Sequence, residues 1–189
     1  MNIFVLDENP RKAAQFHCDK HVVKMILEAG QMMCSSHWLW NLRTHRKKLS
    51  DFKRVRDAKE FVINNTSSKH LPPWSMTHVR HPCTLWTAEN TGNYVWHVEL
   101  MRGLLDEYTL RYQKKHKSEP VYEWLLKNKP QNISAGTKTD HPLCMPDDCK
   151  VVGDPVQSYR NYYNIHKSYM AKWNKLGNVP HWYIGDGNV

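Results

Sequence analysis

The sequence predicts an all-α fold: a single compact domain built on long helices with irregular loops. Three observations predict it. Apolar residues recur at steps of three and four over most of the chain instead of alternating. Asn-Pro at 9–10 and Asp-Pro at 154–155 are helix starts, a polar cap followed by a proline in the first turn. Convincing strand patterns are absent. The chain of 189 residues, 40% of them hydrophobic, supplies one good-sized core, and only eight glycines exclude fibrous or low-complexity readings.

The stretch "MNIFVLDENP" is expected to begin extended. From Pro10 to about Ser36 nothing in the sequence stops a helix, and the aromatic run "HWLWNL" follows it. Residues 43–59 then hold eight Lys/Arg against two Asp, the densest positive patch in the chain. "NNTSSKHLPPW" reads as a loop, from its small polar residues and paired prolines. A second long helix is expected from about Cys83 to Gln113, and a short one in "EPVYEWLLKN" with Pro120 near its first turn. Residues 130–153 read as loop. A last helix is expected from Asp154 to a stop at Gly177.

Net charge is +9, which points to a polyanionic partner, with DNA foremost. Five cysteines at 18, 34, 83, 144 and 149 have no disulfide-framework spacing, which fits a reducing, cytoplasmic location. No stretch approaches a membrane span, so no membrane partner is expected.

Within the first expected helix, His17, His21, Lys24, Glu28 and Gln31 interrupt apolar residues at steps of four, three, four and three. If Val22, Val23, Met25, Ile26, Leu27 and Met32 are buried, this polar stripe faces either solvent or a cleft. In a cleft, Glu28 can stabilise a cation or move a proton, and Lys24 or the chain's α-amine at Met1 can act as a nucleophile. His17 and His21 could instead share a metal with Glu28, but the order of the zinc proteases is missing. "HPLCMPDDCK" adds His141, Cys144 and Cys149, with no second closely spaced cysteine pair to complete a zinc site. No metal and no cofactor is therefore expected.

"DKHVVKMILE" at 19–28 resembles the early helix of the pyrimidine-dimer DNA glycosylase/AP lyases of T-even phages. There an acidic-x-His element precedes the catalytic glutamate by seven residues from the histidine, the spacing of His21 to Glu28 here. "HPCTLWTAENTGNYVWHVELMRGLLDEY" and "YMAKWNKLGNVPHWY" are similar to later segments of that family, so that about half of the chain is covered. The chain is also similar to a group of phage-borne proteins that share "CDKH", "HPCT", "MPD" and "SYRNYY" elements. The glycosylase resemblance implies that Glu28 stabilises an imine and assists β-elimination, and that His21 lies near a flipped-out nucleotide. Residue 2 is Asn where the family exposes a threonine amine, and Leu27 and Gln31 stand where it has phosphate-clamping arginines.

The expectation is thus a base-excision type enzyme acting on damaged or modified pyrimidines in DNA. Its catalytic candidates are Glu28, His21, Lys24 and Met1, and its substrate contacts are His17, Gln31, Asn2 and His81. Phosphate contacts are expected from Arg43, Arg46, Lys47, Lys48, Lys53, Arg54 and Arg56, with a second rail at Arg160, Lys167 and Lys172. Trp38, Trp40, Tyr162 and Tyr163 are either core or base-stacking residues. The alternatives are a phage base or nucleotide modification enzyme on the same scaffold, and a non-enzymatic nucleic-acid-binding protein.

Overall fold

The structure, a computed structural model, describes residues 2–130 and 132–185. It is all-α, with no β-strand among those residues. Residues 2–6 run through the interior with neither helix nor strand structure, and all five are buried. Helix α1 (Pro10–Phe16) follows, capped by the Asn9 side chain, which accepts from the amides of Arg11 and Lys12. Helix α2 (Asp19–Thr44), 26 residues and about 39 Å long, is the central element. Short helices α3 (Val55–Asn65) and α4 (Pro82–Thr87) pack against it. Helix α5 (Thr91–Tyr112) lies against both α1 and α2, and α6 (Glu119–Lys127) and α7 (Pro155–Tyr162) complete the bundle. The buried apolar residues form one contiguous core.

Three expected helices are interrupted. The first breaks at His17, whose ψ of 135° is extended, and the "HWLWNL" run continues α2 to Thr44. The break is made by tertiary partners. Arg111 of α5, its side chain fully buried, donates to the carbonyls of His17 at 2.8 Å and Gln15 at 3.0 Å, and the Asp19 amide donates to the Lys172 carbonyl at 2.8 Å. These bonds satisfy backbone groups that a continuous helix would have used itself.

The second expected helix divides at residues 88–90, where Asn90 caps α5 by accepting from the Asn93 amide. Just beyond, Gly92 admits the 136–138 loop so closely that a Cβ would lie 2.3 Å from the Lys138 nitrogen. The last expected helix ends at Tyr162 and runs on as a π turn (Tyr163–Lys167) and a 3-10 turn (Ser168–Met170), well short of Gly177.

Burial also departs from expectation along α2. Val22, Met25, Ile26 and Met32 are in the core, but Val23 and Leu27 are exposed, at 38% and 43%. Trp38, Trp40 and Tyr163 are core residues, and Tyr162 is half-buried and stacked on Phe4.

Arg111 makes charged contacts as well, to Glu107 at 2.7 Å and Asp19 at 3.1 Å. Removing it strands the buried Glu107 carboxylate and two carbonyls at once, and takes one partner from half-buried Asp19. Arg111→Met is therefore expected to destabilise the protein by roughly 3–5 kcal/mol, read as a lowered denaturation midpoint. A cost under about 1 kcal/mol would show that the break between α1 and α2 does not depend on this side chain.

Candidate functional site

The polar stripe of α2 straddles the edge of the core. His21 and Glu28, two turns apart, point inward and are 5% and 6% exposed. Lys24 and Gln31, rotated about 40–80° from them on a 100°-per-residue wheel, reach the surface. His17 is not part of this stripe, because it occupies the break between α1 and α2.

Glu28 meets the start of the chain. Its Oε2 accepts from the Asn2 amide at 3.0 Å, and its Oε1 lies 3.2 Å from the Lys24 amine, whose side chain is 64% exposed. This non-helical segment has no strand neighbour, so the buried Asn2 amide needs a side-chain acceptor, and Glu28 of α2 provides it. Met1 lies outside the described residues.

The Asn2 side chain ties three further elements to this point. Its Oδ1 accepts from the Tyr159 hydroxyl at 2.8 Å, and its Nδ2 donates to the Cys144 carbonyl at 2.8 Å. The Cys83 thiol lies 3.5 Å from the same Oδ1. His81, two residues before Cys83, caps α4 by accepting at Nδ1 from the Cys83 amide. Sequence reading singled out Asn2, Lys24, Glu28 and His81, and the fold gathers all four around the chain start. It missed Cys83 and Tyr159, whose only sequence signals are the short "HPCT" and "SYRNYY" elements.

The histidines are held neutral. His21 shares a 2.5 Å hydrogen bond with the Tyr163 hydroxyl and packs on Phe4 at 4.5 Å. Burial, reinforced by His17, Lys167 and Lys24, lowers its pKa to about 2. His17 Nδ1 donates to the Ala13 carbonyl at 2.7 Å, its Nε2 is buried without a partner, and burial lowers its pKa to about 4. Neither ring can serve as a cation near pH 7.

The basic candidates divide. Arg43 donates to the Ala88 carbonyl, Arg54 pairs with Asp57, and Arg56 pairs with Glu60. Arg160 donates to the Leu6 carbonyl at 3.0 Å and lies over Trp182. Arg46, Lys47, Lys48 and Lys53 are exposed, as is Lys172, while Lys167 rests on the Tyr162 ring. Fifteen residues of α2 put the Arg43 patch roughly 22 Å from Glu28, whereas Lys172 stands at the near end, where its carbonyl accepts from the Asp19 amide.

Two concavities lie away from Glu28. One of about 400 Å³ is lined by His37, Trp40, His45, His70 and Trp124, among others. The second, about 460 Å³ and shallower, includes Arg43, Pro82, Trp86, Glu89 and Pro142. No helix of the described residues is long and apolar enough to cross a membrane. No protein-family model, curated protein or solved structure matches the chain.

Buried neutral histidines make stability depend on pH. Burial also lowers His37 and His97 to about 3. Below pH 6.5 the unfolded chain takes up protons that the folded chain refuses until its own lower values are reached. Stability is therefore full above about pH 6.5 and falls as the pH drops towards 4, by up to roughly 1.4 kcal/mol per pH unit for each histidine. The thermal midpoint is expected to fall steadily from pH 7 to 5, with a shallower slope in His17→Asn, whose amide can replace the Nδ1 donor. An unchanged slope in that variant would mean that His17 is not neutral in the folded protein.

Proposed function

We propose that the chain is a DNA-acting enzyme of the base-excision type, working on damaged or modified pyrimidine nucleotides with an amine nucleophile and Glu28 as its carboxylate. The observation that carries this reading is a carboxylate, 6% exposed, held 3.0 Å from the Asn2 backbone amide and 3.2 Å from a lysine amine. In such a reaction an amine nitrogen attacks the sugar C1′ and the base leaves with the glycosidic electron pair. The amine proton passes to O4′ as the C1′–O4′ bond breaks, which opens the sugar to an iminium; loss of a C2′ proton then expels the 3′ phosphate by β-elimination, with a carboxylate opposite the positive charge.

Two amines compete for the role. Lys24 is in contact with Glu28. In a chain that begins at Met1, the α-amine is joined to the Asn2 nitrogen through three bonds, and covalent geometry alone holds it within about 4 Å of that atom. An α-amine is also intrinsically less basic than a lysine, so more of it is neutral and nucleophilic near pH 7.

Borohydride reduction in the presence of abasic or dimer-containing DNA tests the reading. A covalent protein–DNA adduct is expected, and Glu28→Gln, which can still accept from the Asn2 amide, should lower its yield by about 100-fold or more. Lys24→Ala and blocking of the α-amine separate the two nucleophiles, with the mass of the mature N-terminus showing which residue carries that amine. Folded protein that binds these DNAs yet gives no adduct with any of them would instead favour a non-enzymatic binding protein.

The charge pattern supports DNA as the partner, with the exposed Arg46, Lys47, Lys48 and Lys53 on one side and Lys172 on the other. Alanine at Arg46, Lys47 and Lys48 together should lower the slope of log affinity against log salt by about 0.9 for each phosphate that these side chains neutralise. A slope equal to that of the parent protein would remove this patch from the interface.

A further inference from the structure

Among the described residues, two groups of side chains bring ligand atoms within 4.8 Å of one another: Asp148, Cys149 and His166, and His81, Cys83 and Cys144. In the first, His166 and Asp148 already pair at 2.8 Å on the surface. The second has a different character. We propose that His81, Cys83 and Cys144 bind one zinc-class divalent ion, with the fourth coordination position open to solvent.

Geometry is the first support. Two thiolates on a tetrahedral zinc at about 2.3 Å are roughly 3.8 Å apart. The Cys83 and Cys144 sulfurs are 3.8 Å apart, far beyond the roughly 2.05 Å of a disulfide. A plain thiol contact has a similar separation, so the third group matters: an imidazole nitrogen of His81 falls within the same 4.8 Å as both sulfurs.

The donor set is the second support. Two sulfurs and an imidazole favour a borderline-soft ion such as zinc over magnesium or calcium, which take oxygen ligands. His141 is not a member, because its Nε2, 4.0 Å from Cys83, is engaged by the Ile3 carbonyl at 3.2 Å.

The third support is that the ligands are held in place by other contacts. Cys144 is fixed by Asn2 at its carbonyl and by the Tyr159 hydroxyl at its amide, and His81 and Cys83 flank Pro82 at the start of α4. Cys83 is fully buried, while Cys144 and His81 are half-buried and leave a path for the ion. Binding releases both thiol protons to solvent, and the two thiolates balance the dication. The ion would pin the 130–153 loop to α4 beside Asn2. It takes no part in the amine reaction proposed above.

Cobalt(II) titrated into the full chain under reducing, oxygen-free conditions tests the site. One equivalent should bind, giving a thiolate-to-cobalt charge-transfer band and the visible bands of tetrahedral cobalt, both removed by zinc. Cys144→Ala and His81→Asn, which keeps a capping side chain on α4, should weaken binding by about 100-fold or more with the helical circular dichroism unchanged. Cys149→Ala should bind as the parent does. Cys144 is preferred to the fully buried Cys83, whose replacement endangers folding. Absence of a saturable band, or a band abolished in Cys149→Ala and kept in Cys144→Ala, would overturn the assignment. This readout needs no DNA, so it stands or falls apart from the adduct experiment.

Discussion

The molecule is organised around a constraint set by its first residues. A non-helical segment, 2–6, lies inside an all-α core, and a helical environment offers it no ladder of backbone partners. Every peptide group buried there must find a side chain or an isolated carbonyl. Distant parts of the sequence supply them: Glu28 for the Asn2 amide, His141 for the Ile3 carbonyl and Arg160 for the Leu6 carbonyl. Just beyond the segment, the Trp96 indole donates to the Glu8 carbonyl. Polar residues that look like a functional set in the sequence are, in part, the answers to this demand.

The same logic governs the helix break at His17. A continuous helix from Pro10 to Thr44 would carry residues 10–16 along the axis of α2 and away from α5. Breaking it lets α1 fold back on α5, where Gly103 admits Ala14 so closely that an added Cβ would lie 2.7 Å from the Ala14 Cβ. Arg111 meets the carbonyls exposed by the break, and Glu107 and Asp19 balance its buried charge. One α5 side chain thus holds the turn between α1 and α2 from one side, and the Lys172 carbonyl holds it from the other.

Chemistry and architecture meet at Asn2. Its backbone amide contacts Glu28, its side-chain oxygen contacts Tyr159 and Cys83, and its side-chain nitrogen contacts the Cys144 carbonyl. The carboxylate of the amine reading and the thiol pair of the metal reading are thus neighbours of one residue. The His21 and His17 rings are different in kind: burial holds them neutral, and their hydrogen bonds go to Tyr163 and the Ala13 carbonyl, so they serve packing first.

The sequence by itself determined the all-α class, the helix starts at Pro10 and Pro155, the short helix in "EPVYEWLLKN" and the largely irregular stretch that follows it. Those features follow from local periodicity, capping and proline geometry, which act over a few residues. It also marked Glu28 as anomalous, because a carboxylate two turns from a histidine among Met, Val and Ile is visible as a pattern. The breaks at His17 and at residues 88–90 were not legible. The tertiary partners that meet the freed backbone groups, Arg111 at the first and the carbonyls of Ser134 and Gly136 at the second, lie tens of residues away. Nor could the sequence decide which members of the polar stripe face inward, since only about 40° of helix rotation separates buried Glu28 from exposed Lys24, and the packing of α2 on its neighbours fixes that angle. The pairing of Cys83 with Cys144 was likewise invisible, because 61 residues separate two thiols that only the tertiary fold brings to 3.8 Å.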